Sequence, residues 1–377
     1  MKKLALPLAA AALAGCPGAP LDSLGENYAA IVVASYEDSI AAATDMDAAI
    51  DGFLGAPDAA GLTAAKDAWL DAREPYLQTE VYRFYDGPID ALPDEVEGLL
   101  NAWPMDENYI DYVDGDLPGA FSGIVNDASV TIDADTLAGL NGEGGDGNVA
   151  TGYHALEFLL WGQDMSATGP GERSFEDYTT LENADRRGDY LAVTSDLLIT
   201  HLNQVADQWA DGAAYRTEWD GLDGIDALER ILTGMIVLSG FETGGERARA
   251  ALLSGDQEDE HSCFSDNTHR DMVQDVVGVL NVWEGVYTRT DGSTVTGTGV
   301  YDVVAAQNQE LADTVDARVR ESVTLAEAIQ APFDQEIAPG NAAGNARVQA
   351  FVDSLFEQES VLFDVFTEFG LTIELEE

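Results

Sequence analysis

Residues 28–53, YAAIVVASYEDSIAAATDMDAAIDGF, place Tyr28, Ile31, Ala34, Tyr36, Ile40, Met46, Ile50 and Phe53 three or four positions apart for most of their length. That spacing puts one apolar stripe on a helix, and a strand would need alternation instead. The same period returns along the chain. It spans 62–85, where Pro75 predicts a kink, and the shorter pieces 95–103, 118–126 and 149–161. It then fills 187–210, 225–253, 268–287, 300–329 and 345–369. Between these lie loops rich in Gly, Ser and Thr, at 141–148 (NGEGGDGN), 162–180 and 288–298. Long amphipathic helices bury their stripes against one another. The expected fold is therefore all-α, with two groups of about four helices dividing near 165–185. They form two four-helix bundles side by side, one over 28–170 and one over 171–377.

Charge narrows the partners. Among 377 residues, 70 Asp and Glu face 17 Lys and Arg, for a formal charge of -53. Such a field repels phosphate, which excludes nucleic acid and anionic membrane surfaces as partners and favours cations. Lys66 is the single lysine beyond Lys2 and Lys3, a composition suited to solubility in salt. The first residues, MKKLALPLAAAALAGC, join two positive charges to a short apolar run that ends in Leu13-Ala14-Gly15-Cys16. The run is too short to span a bilayer, and its end matches the bacterial lipobox. The expectation is a signal peptide over 1–15, a lipid-modified Cys16, a tether over 16–27, and a body held at the cell envelope by its lipid alone. Only Cys263 remains for the folded part, so packing rather than an internal disulfide must stabilise it.

Three segments carry chemistry. In Gly152-Tyr153-His154-Ala155-Leu156-Glu157, His154 and Glu157 share a helix face among apolar neighbours. Imidazole and carboxylate so placed can bind one metal ion, or the carboxylate can orient the imidazole. In 69–84, Arg73, Glu80 and Arg83 form a charged face flanked by Trp69, Tyr76, Tyr82 and Phe84. In 259–271, DEHSCFSDNTHRD, Asp266 or Thr268 reads as a helix cap and Asp271 as the close of a capping box. That leaves His261, Ser262 and Cys263 unexplained. His201, among Leu197, Leu198, Leu202 and Val205, reads as core.

The three blocks together resemble the imelysin-like family of bacterial exported proteins. GYHALEFLLWGQD at 152–164 is similar to that family's G-x-H-x-x-E motif and its apolar continuation, and AREPYLQTEVYRFYDGPID at 72–90 and EHSCFSDNTHRD at 260–271 follow the family order. The resemblance implies a double four-helix bundle with the motif helix near the junction of its halves. It also implies a role in iron acquisition, with metallopeptidase activity as the alternative and a structural or interaction lipoprotein as the second. His154, Glu157 and His261 are then candidate ligands of an iron or zinc ion. Arg73, Glu80, Arg83 and Ser262 are candidate ligand-binding groups, and a transporter or receptor is the candidate partner. A zinc peptidase would recruit His261 or His269 as third ligand and Glu80 or Glu242 as general base. The candidate residues are expected to meet in a cleft between the bundles. Metal affinity is expected to fall as His154 protonates near pH 6.5.

Overall fold

The computed structural model describes residues 19–91, 95–117, 119–166 and 168–371. The lipobox and Cys16 lie outside the described residues. The chain is mainly helical, as its periodicity leads one to expect. α1 (Ala19–Gly55) buries Tyr28, Ile31, Ala34, Tyr36, Met46, Ile50 and Phe53 of the predicted stripe, with Leu24 one turn before it. It packs on α2 (Ala59–Leu77) and on α4 (Ala184–Trp209), and α4 also covers α3 (Gly152–Trp161). In the second half, α5 (Gly224–Val237) runs into a π-helical stretch, Leu238–Arg249. α6 (Thr268–Glu284) packs on α8 (Gln309–Ala326), and α8 packs on α10 (Ala342–Glu368), which also lies on the π-helical stretch. α7 (Val300–Gln307) and the short α9 (Phe333–Ile337) complete the main elements.

The larger core cluster takes residues from Leu24 to Phe366, so it runs through both halves; a smaller one centres on Met272, Phe351 and Leu355. The helix over 184–209 packs on α1 and α3, and on the short helix Ala214–Trp219 that follows it.

Three expectations change. Segments 95–103 and 118–126 keep only the single turns Glu97–Leu100 and Ile124–Asn126, because prolines at 88, 93, 104 and 118 interrupt this region. The helix expected over 62–85 stops at Leu77 and passes into a 3-10 turn, Glu80–Tyr82. The loop expected over 288–298 holds part of a hairpin, pairing Val286–Thr288 with Thr294–Thr296 in the register Tyr287 to Val295. Arg289 and Tyr287 of this hairpin bond Asp38 on α1.

Two glycines decide how closely the site elements approach. Gly152 has φ +87°, and a Cβ there would sit 2.5 Å from the Leu100 carbonyl oxygen. Gly234 on α5 lets the Val81 carbonyl approach to 2.3 Å of where a Cβ would stand, which draws in the turn carrying Glu80. Among the described residues no helix is long and apolar enough to cross a membrane.

Candidate functional site

α3 presents His154 and Glu157 on one face, and both are fully buried. His154 Nδ1 lies 2.9 Å from Glu157 Oε2. The other oxygen, Oε1, accepts from the Ser265 backbone N–H at 2.8 Å and from its hydroxyl at 2.6 Å. Glu157 therefore ties the motif helix to the loop over 255–267. The same loop delivers His261, whose ring centroid is 4.7 Å from that of His154, edge to face at 75°. His261 Nδ1 in turn lies 2.7 Å from Asp271 Oδ2. Trp103 walls the pair, with ring centroids 5.1 Å from His154 and 6.5 Å from His261.

Asp271 is the hub. It accepts from Ser262 Oγ at 2.5 Å, Arg73 Nη2 at 3.2 Å and Asn267 Nδ2 at 3.3 Å. The capping box expected here is absent. Asn267 stands at the N-cap of α6 without a side-chain cap bond, and the Thr268 hydroxyl accepts from the Ser262 N–H instead. Asp271 is the fourth residue of α6, one position past the capping site, and tertiary donors claim its carboxylate. Arg73 also donates to Asn101 at 2.6 Å, and Asn101 Nδ2 is 3.5 Å from His261 Nε2.

A second layer adjoins the first. Glu80 accepts from Arg83 at 2.9 Å and from Arg247 at 2.6 Å. Arg247, on the π-helical stretch, also reaches Asp275 at 3.0 Å and Glu242 at 2.9 Å. Of the sequence candidates, His154, Glu157, His261, Ser262 and Arg73 thus form one group, and Glu80, Arg83 and Glu242 form the layer behind it. His269 stands apart, its Nδ1 facing the Asp266 carbonyl. His201 is a buried residue of α4. Arg247, Asn101 and Trp103 lie outside the three segments singled out by sequence, and Ser265 lies in the third without having been distinguished there. The nearest signal for Arg247 was the glycine pair Gly244-Gly245 before it, in what reads as an ordinary helix.

Burial sets the proton positions. It raises Glu157 to about 8 against the pull of Ser265 and Arg73, and it lowers His154 well below the usual imidazole range. His261 falls to about 4 through burial and the nearby Arg247. Both imidazoles are neutral at physiological pH. Burial would raise Asp271 too, but Arg73, His261 and Ser262 hold it far below the ordinary carboxylate range. Glu80, likewise buried, is held at about 2 by Arg83 and Arg247. Asp275 rises to about 7 with burial despite Arg247.

The group is closed rather than an open cleft, since His154, Glu157 and His261 are at most 3% exposed. A surface cavity of about 350 Å³ lies on the chain that follows α3, lined by Trp161, Gln163, Asp164 and Arg173 among others. The donors suit a metal in part. Among the described residues the buried His154 Nε2 has no hydrogen-bond partner, and each imidazole has its Nδ1 fixed by a carboxylate, as metal-bound histidines do. Both oxygens of Glu157 are already engaged, which makes it an orienting group rather than a free ligand. Among the described residues no three His, Cys, Asp or Glu side chains group tightly enough to hold one ion. Two nitrogen donors fit an ion that brings other ligands with it, and they do not supply the three protein ligands of a zinc peptidase.

The sequence has relatives. A curated protein called iron-regulated protein A, from Synechococcus elongatus, is 25% identical over 82% of this chain and 75% of its own length. A crystal structure described as an iron-regulated protein A precursor, from Parabacteroides distasonis, superposes with a TM-score of 0.73 at 17% identity, covering 93% of this chain and 95% of that one. An imelysin-like protein from Psychrobacter arcticum superposes with a TM-score of 0.65 at 14% identity, over 94% and 97% of the two chains. These likenesses show the fold. The family model for imelysin, peptidase M75, matches residues 32–362, and the chain belongs to the imelysin family.

Proposed function

We propose that this protein is an exported, lipid-anchored member of the cell envelope that binds iron, as an ion or a small complex, between His154 and His261. It would present that iron to a transporter or receptor. One observation carries the reading: a buried His154 Nε2 without a partner, 4.7 Å ring to ring from a second imidazole held in the same manner. A buried ring nitrogen left unsatisfied is costly in a purely structural pair, and metal coordination at Nε2, with loss of a proton, satisfies it. Iron accepts imidazole donors together with oxygen, which water or a small chelator supplies. The iron-regulated relatives and the leader sequence support the same direction. Coordination at Nε2 needs the proton on Nδ1, donated to an ionised Glu157. The controlling group is therefore Glu157 near 8 rather than His154 near 6.5, and iron binding releases a proton.

The test is iron bound per chain, measured by equilibrium dialysis with ferrous ion under anaerobic conditions and separately with ferric citrate. His154→Ala and His261→Ala should each sharply reduce retention in whichever arm the wild type binds. Glu157→Gln, which removes the ionised acceptor, should weaken it roughly 10–100-fold. Equal retention by wild type and both alanine variants would end this reading.

A further inference from the structure

His154 and His261 are at most 3% exposed, so an ion or small molecule meets them after one wall of their enclosure has moved. Three of the walls are cross-bonded. Glu157 ties α3 to the loop over 255–267 by accepting from the Ser265 N–H and hydroxyl. The loop is held again where the Gly171 N–H donates to the Phe264 carbonyl at 2.9 Å, and where Ser262 bonds Asp271 and Thr268. α2 holds α6 through the buried ion pair of Arg73 and Asp271. The fourth wall is Trp103, and it is built differently. It lies in 102–105, a stretch that is neither helix nor strand. Among the described residues no hydrogen bond joins 102–105 to its surroundings; the stretch is fastened at its two ends. At one end Arg73 donates to the Asn101 side chain at 2.6 Å. At the other the Asp106 N–H donates to the Gly147 carbonyl at 2.7 Å, within the glycine-rich loop over 141–148. Between them Trp103 contributes ring packing, with centroids 5.1 Å from His154, 6.5 Å from His261 and 6.0 Å from Phe264. Trp103 is half-buried and the following Pro104 is exposed, whereas Asn101, Phe158 and Phe264 are buried.

A segment with few hydrogen bonds opens at a smaller cost than elements joined across a buried ion pair. We propose that 102–105 is the strap through which the histidine pair is reached, and that the Trp103 indole is the plug that sets the rate of entry and exit. Lifting it exposes one ring and breaks no hydrogen bond of the strap, while Asn101 and Asp106 keep its ends in place. Opening any of the other three walls separates a buried carboxylate from its donors. Trp103 also stands where solvent and the pair meet, since it touches both imidazoles and is itself half-buried. This gate rests on the iron reading for what passes beneath the ring. The enclosure it opens is described by the packing alone.

The experiment needs no metal. Diethyl pyrocarbonate carbethoxylates neutral imidazole, and peptide mass spectrometry of the treated full chain gives a rate for each of its four histidines. In the wild type His154 and His261 should react far more slowly than the half-buried His269. Trp103→Ala should speed both by about 10-fold, equivalent to roughly 1.4 kcal/mol off the cost of opening, while His201 and His269 keep their rates. Trp103→Phe keeps a smaller aromatic wall and should give a smaller rise at the same two positions, which separates the gate from a general loosening of the fold. In stopped flow, ferrous ion should enter and leave the three proteins faster in the same order. Unchanged rates at His154 and His261 in Trp103→Ala would overturn the proposal, and so would a rise at all four histidines in both variants. A wild type that binds no iron yet shows the selective reactivity would end the iron reading and support the strap.

Discussion

Asp271 on α6 and Glu260 in the loop over 255–267 that leads into it sit 11 positions apart, equally buried, and they meet opposite fates. Asp271 gathers Arg73, His261, Ser262 and Asn267 and stays ionised far into acid. Glu260 gathers three other acids, and burial with their repulsion pushes it well above the carboxylate range. Asp266 and Asp164 follow it, to about 7 and about 6, by burial and by the repulsion of Asp334. Depth alone therefore does not settle the state of a carboxylate; the identity of its neighbours does. The first arrangement is satisfied as an ionised carboxylate, whereas the second favours the protonated acid.

The largest expected effect breaks the complete side. Asp271→Ala leaves the Arg73 guanidinium buried and unpaired and frees His261 and Ser262, and should cost about 3–5 kcal/mol in urea unfolding. A loss below about 1 kcal/mol would mean that solvent already reaches Arg73. Arg247→Met comes next. It takes from Glu80 its shorter ion pair and from Asp275 the one ion pair it has among the described residues, and about 3 kcal/mol should be lost.

Titration sharpens the same contrast. Glu157 has a folded-state value raised to about 8, so its stabilising proton is fully held below about 4.3 and is lost as pH rises toward 8. His154 and His261 are depressed, so their contribution is present above about 6.5 and is lost as pH falls. The two trends oppose each other in mild acid. Between about pH 6.5 and 8 the raised acids act alone, and the wild type should lose stability across that window. Glu157→Gln should flatten this decline, as read from urea midpoints at half-unit pH steps; an unchanged slope would place the proton elsewhere. The smallest effect belongs to the surface. Arg318→Ala breaks pairs with Glu321 and Glu357, all more than a third exposed, and should shift stability by no more than about 0.5 kcal/mol.

The helices were legible because their apolar period is long and repeated: the stripe from Ile31 to Phe53 is buried almost as read. The motif pair was legible too, because three-residue spacing on a helix forces His154 and Glu157 onto one face. Where the reading failed, the information was not local. Residues 95–126 carry helical patterns that prolines interrupt. Asp271 has the position of a cap and the partners of a hub, and those partners come from residues 73, 261 and 262. Arg247 pairs with Glu80 across 167 positions, a distance over which single-sequence spacing carries no signal. The isolation of Glu260 was hidden for a related reason. In a chain with 70 acids, an unpaired one looks like any other until its burial is known.

The central claim is that His154 and His261 are the protein's iron donors, and X-ray absorption at the iron edge tests it most directly. The iron-loaded wild type should show two imidazole nitrogens at about 2.0–2.2 Å, with their outer-ring scattering, completed by oxygen. His154→Ala and His261→Ala should each reduce the count to one in whatever iron they retain. A shell made wholly of oxygen in the wild type, or one unchanged by either substitution, would contradict the account.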